Sequence, residues 1–200
     1  MSALRGRIAV LAWGSLIWDL DDLAPKVEGP WMMRAGPSLP FEFSRISPKR
    51  KLGLVLCIDP LAGVPCPTHA ILSRRSDIHE AAEDLRARER APAVERIGAF
   101  CARSGFRRSR VPEAGEAVAA WAEATGAAGA VWTDLEPNFR EHTGRAFSVA
   151  EGLAYLARLE GESRAEAVRY LRNAPAETDT PLRRAAASFL AAEGGAAPFR

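Results

Sequence analysis

The chain is poor in the side chains that hold metals or build disulfide frameworks: 200 residues carry three cysteines and three histidines. Cys57, Cys66 and Cys101 are odd in number and irregularly spaced, which argues against a disulfide scaffold. There is no Cys-x-x-Cys pair and no His-Glu-x-x-His pattern, so no zinc site is expected. No apolar run approaches the ~20 residues that a membrane span needs, and Ile8–Ile17 falls far short. A charged start followed by a long apolar stretch and a small-residue cleavage site is also missing. The expected compartment is the cytoplasm, with reduced thiols and no membrane partner. Neither sign of charge dominates: 27 basic against 25 acidic residues leave a net +2, which argues against a nucleic-acid partner. Arg103, Arg107, Arg108 and Arg110 form the one local excess, read as a solvated loop in preference to an anion site. No internal repeat or low-complexity linker divides the chain.

What is present is core-forming material. Hydrophobic residues make up 48% of the chain, enough for a sizeable core without staples. Ile8–Ala12 is a continuous apolar run with β-branched residues and reads as a buried strand. It ends at Trp13-Gly14-Ser15, where Gly14 can supply a backbone angle that other residues resist. Phe41–Ile46 alternates as a half-buried strand does, Lys49–Lys51 reads as an exposed turn, and Leu52–Ile58 as a buried strand. With Thr68–Leu72, the segment 41–72 is expected to be an antiparallel meander. A helix opens at Asp77, whose spacing to Glu80 fits a capping box, and runs to about Arg90 before Pro92. One or two strands follow in 94–111, then a helix over 113–124 closing near Gly126, then a strand over 130–135. Capping boxes at Ser148–Glu151 and Ser163–Glu166, and Pro181 after Thr180, predict three helices over 148–193. A small tail, Gly194–Arg200, ends the chain. The layout is α+β.

One residue does not suit its place. In the helix after Ser76 the apolar positions Ile78, Ala81, Ala82 and Leu85 mark one face. Four residues beyond Leu85 that face reaches Glu89, in the last turn. Burial and the negative end of the helix dipole both disfavour an anion there, so a raised pKa suited to acid–base work is expected. The competing reading is a surface glutamate paired with Arg86, Arg88 or Arg90.

Ala12-Trp13-Gly14-Ser15-Leu16-Ile17-Trp18 resembles the first-strand signature of the γ-glutamylcyclotransferase superfamily, usually Tyr-Gly-Ser followed by Leu or Asn. It is closest to the ChaC-like form, Gly-Ser-Leu-Ile-Trp. Leu85-Arg86-Ala87-Arg88-Glu89 resembles the family's helical segment bearing Arg-Glu. The resemblance covers about residues 7–145 and departs from the family at Trp13, which stands where a tyrosine is usual. It implies a small mixed, mainly antiparallel β-barrel of γ-glutamylcyclotransferase-like type over 1–147. Flanking helices and a helical C-terminal cap over 148–200, packed on the same domain, complete the expected fold.

The implied activity converts a γ-glutamyl amine or peptide into 5-oxoproline and a free amine, with Glu89 as general acid/base. Trp13, Gly14, Ser15, Leu16 and Arg45 are the implied substrate-binding residues, and no cofactor or metal is needed. The implied partner is a small γ-glutamyl substrate; the cap is expected either to cover the pocket or to support a homodimer. The alternative is a non-catalytic binding protein for small molecules or peptides on the same fold. Hydrolysis by a nucleophilic Ser15 or Cys57 ranks below both, because Ser15 lacks a Gly-x-Ser-x-Gly frame and no histidine is near it in sequence. Asn138, Tyr155 and Tyr170 are read as turn and packing residues.

Overall fold

In the computed structural model, which describes residues 3–193, the first apolar run becomes the interior of a sheet. In chain order the strands are β1 (Ile8–Ala12), β2 (Val27–Met32), β3 (Ser38–Ser47), β4 (Gly53–Ile58), β5 (Val64–Pro67), β6 (His69–Ser73), β7 (Ile97–Cys101), β8 (Arg107–Arg108) and β9 (Gly129–Thr133). The helices are α1 (Ile78–Glu89), α2 (Pro112–Thr125), α3 (Phe139–Thr143), α4 (Val149–Arg158), α5 (Gly161–Asn173), α6 (Pro181–Ala185) and α7 (Ala187–Ala192). The tail Gly194–Arg200 lies outside the described residues. The chain divides into two compact units, Met1–Leu39 with Pro67–Leu135, and Pro40–Cys66 with Glu136–Arg200.

The first unit holds a six-stranded sheet in the order β2-β6-β1-β9-β7-β8. Only β1 and β9 are parallel; the other neighbours run antiparallel. All five positions of β1 are buried, as its unbroken apolar sequence requires. Ile8, Val10 and Ala12 meet Ile78, Ala81, Ala82 and Leu85 of α1 in one cluster. Asp77 caps α1 as expected, its carboxylate accepting the N–H groups of His79 and Glu80. Glu80 turns instead to Arg75, so the reciprocal half of a capping box is not made. α2 packs on β7 and β9 and closes at Gly126, whose φ of +73° is the left-handed C-cap that its sequence position suggests.

The second unit holds a three-stranded sheet, β4-β3-β5, and the helices from α3 onward. The expected meander is therefore broken. β3 and β4 pair as anticipated, but β6 leaves them to pair with β1 and β2. The change comes at Pro67, where β5 ends, and Thr68 N–H donates to Pro37 O instead of continuing that ladder. Neither sheet closes on itself among the described residues, so the barrel implied by the resemblance is not seen as a single closed sheet. The architecture is mixed α+β with mainly antiparallel sheets.

Three further local expectations change. Ser163 lies inside α5, which starts two residues earlier behind Glu160, so it caps nothing. Arg50, expected in an exposed turn, is buried and bonded to Glu166 at 3.3 Å. β3 is buried at Phe41, Glu42, Phe43 and Ser44 rather than on alternate positions. Ser148 and Thr180 cap their helices as expected, Ser148 accepting from Glu151 N–H and Thr180 from Arg183 N–H.

Gly98 shows how tightly the first sheet is filled. A Cβ built there would lie 2.0 Å from the Trp132 indole, which is fully buried beside it. Gly98→Ala is expected to force that ring out of place and cost about 1–3 kcal/mol. At roughly 2–4 °C per kcal/mol for a chain of this size, thermal denaturation reads the loss directly. An unchanged melting temperature would mean that the indole is not held against Gly98.

Candidate functional site

The sheet register sets which chain ends meet. Ala12 pairs with His69 at the start of β6, Leu11 lies beside Trp132, and Thr133 pairs with Ile97 at the start of β7. One edge of the six-stranded sheet thus carries the C-terminal ends of β1 and β9 and the N-terminal ends of β6 and β7. β6 runs away from that edge and α1 follows it, so α1 must return the chain to the edge before β7 can begin. Its last turn, with Arg88 and Glu89, is delivered to the edge where β1 ends.

β1 leaves the sheet at Trp13, which is buried. Gly14 takes φ −139° and ψ −138°, neither helical nor extended. Ser15–Ile17 then wind into one 3-10 turn, closed by Ile17 N–H donating to Gly14 O at 3.0 Å. The N–H groups of Ser15 and Leu16 precede the first bond of that turn. Leu16 is buried in the α1 cluster and Ser15 is half-buried. Asp19 follows, its N–H donating to Ser15 O at 3.0 Å.

At the end of α1 the expected positions are exchanged. The side chain that continues the inner face is Arg88, three residues after Leu85, and its side chain is wholly buried. Glu89 lies beside it with 15% of its side chain exposed. Both distances suit a helical face, since steps of three and four bracket the 3.6-residue turn. Arg88 Nη1 reaches Glu89 Oε1 at 3.4 Å, while Nη2 donates to Asp19 O and lies 3.8 Å from the Asp19 carboxylate. The positive charge sits in the last turn of α1, where the helix dipole favours a cation. Glu89 is thus paired with Arg88, as the surface reading held, yet it is largely covered. The two sequence motifs meet through Arg88 and Asp19.

Arg45 belongs to the second unit, where its guanidinium donates to Glu136 O. Asn138 is more than a turn residue: its side chain accepts Ile46 N–H at 2.7 Å and donates to Ile46 O at 3.0 Å, so it pairs with β3 as a strand would. Tyr155 donates to Leu52 O, and Tyr170 meets Phe43 edge to face, which accords with packing roles. The arginine-rich loop is not simply solvated. Arg108 donates to Ile97 O, Arg107 lies over Phe100, and Arg110 bonds Asp134 through backbone and side chain.

Two buried groups, His69 and Glu42, are not singled out by any local sequence pattern. His69 is buried opposite Ala12, and its Nδ1 accepts Arg34 N–H at 2.9 Å, which places the ring proton of the neutral form on Nε2. A histidine therefore does lie near the end of β1; the long gap from Ala12 to His69 in sequence concealed it. Glu42 is buried in β3, where its carboxylate accepts Phe43 N–H at 2.8 Å and Leu182 N–H at 3.2 Å. Burial raises its pKa above the ordinary glutamate range, against the opposing hydrogen bonds from Thr180, Phe43 and Leu182. Cys101 is half-buried, and the Ser104 hydroxyl beside it holds its thiol below the ordinary range. Burial pushes the Cys66 thiol the other way, and Cys57 is buried 3.3 Å from Ser44 Oγ.

Comparison of the chain with protein-family models, with curated proteins and with solved structures gave no match. Among the described residues no helix is long and apolar enough to cross a membrane.

Two measurements test these environments. A carboxyl whose folded pKa is raised stabilises the fold fully below its unfolded value, and that contribution is lost as pH rises through the folded value. Wild-type stability in urea is therefore expected to fall relative to Glu42→Gln as pH climbs from about 4.5, the ordinary glutamate value, towards neutrality. Parallel pH curves for the two proteins would refute the assignment. Iodoacetamide is expected to alkylate Cys101 at least about ten times faster than Cys57 or Cys66, since a half-buried thiol held below the ordinary range supplies more of the nucleophilic thiolate than a buried one. Peptide mapping that found either buried thiol labelled first would contradict it.

Proposed function

We propose that the edge formed by the Trp13–Leu16 turn and Glu89 is the active site of a γ-glutamylcyclotransferase-like enzyme. The observation that carries the reading is the delivery of Glu89 to the edge where β1 ends, with the Arg88–Asp19 contact between them. Sequence resemblance supplies the reaction, and the meeting of the two segments through Arg88 and Asp19 supports it. A barrel-like enclosure of the γ-glutamylcyclotransferase type is part of the same proposal.

In this reading the substrate's α-amine attacks its own γ-carbonyl carbon. A new C–N bond closes the five-membered 5-oxoproline ring, and the old γ-amide C–N bond breaks. The α-ammonium carries three N–H protons and the lactam keeps one. Glu89 therefore takes two in turn, one before attack and one after, and returns each to the departing nitrogen, which leaves as an ammonium; protons then balance over the cycle. Ring closure is intramolecular, and holding the chain folded supplies much of the rate. The backbone N–H groups of Ser15 and Leu16, with Gly14 opening the approach, bind the glutamyl carboxylate or the developing oxyanion. Trp13 offers an apolar wall with no hydroxyl where the family usually has one, and so bears on which amine fits. That same difference motivates the second reading, a binding protein for small amines or peptides that performs no chemistry.

Release of 5-oxoproline from γ-glutamyl amines, γ-glutamyl dipeptides and glutathione, followed chromatographically, separates the two. Turnover of at least one substrate is expected, and Glu89→Gln is expected to lower kcat by about 10²–10⁴. Binding of these compounds without any 5-oxoproline would favour the second reading. Full turnover by Glu89→Gln would remove Glu89 from the chemistry.

A further inference from the structure

We infer that Arg88 is a positioning residue for Glu89, one guanidinium gripping both the loop behind the Trp13–Leu16 turn and the carboxylate that carries the proton. This rests on the reading of Glu89 as the acid/base. A wholly buried guanidinium is costly to desolvate, and an aliphatic residue at this inner position of α1 would serve the core without that cost. Favour from the helix dipole does not explain it, because half-buried Arg86 and exposed Arg90 already lie at the same end of the helix.

What the buried position adds is reach. Nη2 bonds Asp19 O, and Nη1 meets Glu89 Oε1 at 3.4 Å. Asp19 N–H in turn bonds Ser15 O at 3.0 Å. A continuous path therefore runs from the carboxylate through Arg88 and Asp19 to the turn that holds the substrate. The planar fork of arginine serves two partners at fixed spacing, which a single ammonium cannot. Arginine stays protonated and takes no part in the transfer. It holds Oε1 and leaves Oε2 to exchange the proton.

The test uses Arg88→Lys, which keeps the charge, and Arg88→Met, which keeps the packing without it. Each is made alone and together with Glu89→Gln. Both single variants are expected to lose about 10–100-fold in kcat with KM changed less than about threefold, because misplacement of a catalytic group by about 1 Å costs that much. Each double variant is expected to be no slower than Glu89→Gln alone, since Arg88 acts only through Glu89. A merely structural residue would leave the losses multiplying. Unchanged kcat in Arg88→Lys and Arg88→Met, losses that multiply in the doubles, or failure of both single variants to fold would each overturn the inference and leave Glu89 in place. Absence of 5-oxoproline from the wild-type chain on every substrate would instead defeat the underlying reading, and this inference with it.

Discussion

The burial of β1 on both faces is the constraint from which the first unit follows. A strand with no polar position cannot lie at a sheet edge or face water. It needs a neighbour on each side, which β6 and β9 provide, and cover on its faces. α1 supplies one cover through Ile78, Ala81, Ala82 and Leu85. On the other face Leu11 is packed close enough to Gly36 that an added Cβ there would lie 3.0 Å from its side chain. Because β9 runs parallel to β1, both strands end at the same edge, and ends of parallel strands are where backbone groups become available to a ligand. The Trp13–Leu16 turn occupies that place for reasons of topology before any question of chemistry arises.

The same topology explains the odd pairing at the end of α1. The helix must bring the chain back to the edge, and its last inward position falls where the sheet's apolar cover runs out. An arginine there can bury its stem against the cluster while its head meets the polar groups of the Asp19 loop. Glu89 is drawn under cover by its neighbour rather than by apolar packing alone. A carboxylate held this way has a fixed cationic partner and a defined orientation.

Much of this was legible in the sequence, and the failures have identifiable causes. Unbroken or periodic apolar runs gave β1, β4 and α1, and the left-handed cap at Gly126 closed α2 where expected. β2 escaped because Gly29 and Pro30 interrupt it; at Gly29 φ is +78°, and the register with β6 shifts nearby. β3 was misread because alternation predicts one wet face, whereas Glu42 is enclosed and bonded to Leu182 N–H, 140 residues away. Long-range hydrogen bonds of that kind leave no local pattern. The same holds for Asn138 on Ile46 and for His69 opposite Ala12.

The candidate site was half visible for a related reason. A helical face can be extended by three residues or by four, and periodicity does not say which step reaches the interior. Taking four from Leu85 gave Glu89; the structure buries Arg88, the step of three, and keeps Glu89 at its side. The distinction changes the chemistry. An isolated inward carboxylate would have no bond tying it to the Trp13–Leu16 turn. With the guanidinium as the inward group, the contact between carboxylate and turn is built from hydrogen bonds of fixed geometry. Placement and charge at this edge are then set together by one buried side chain, Arg88.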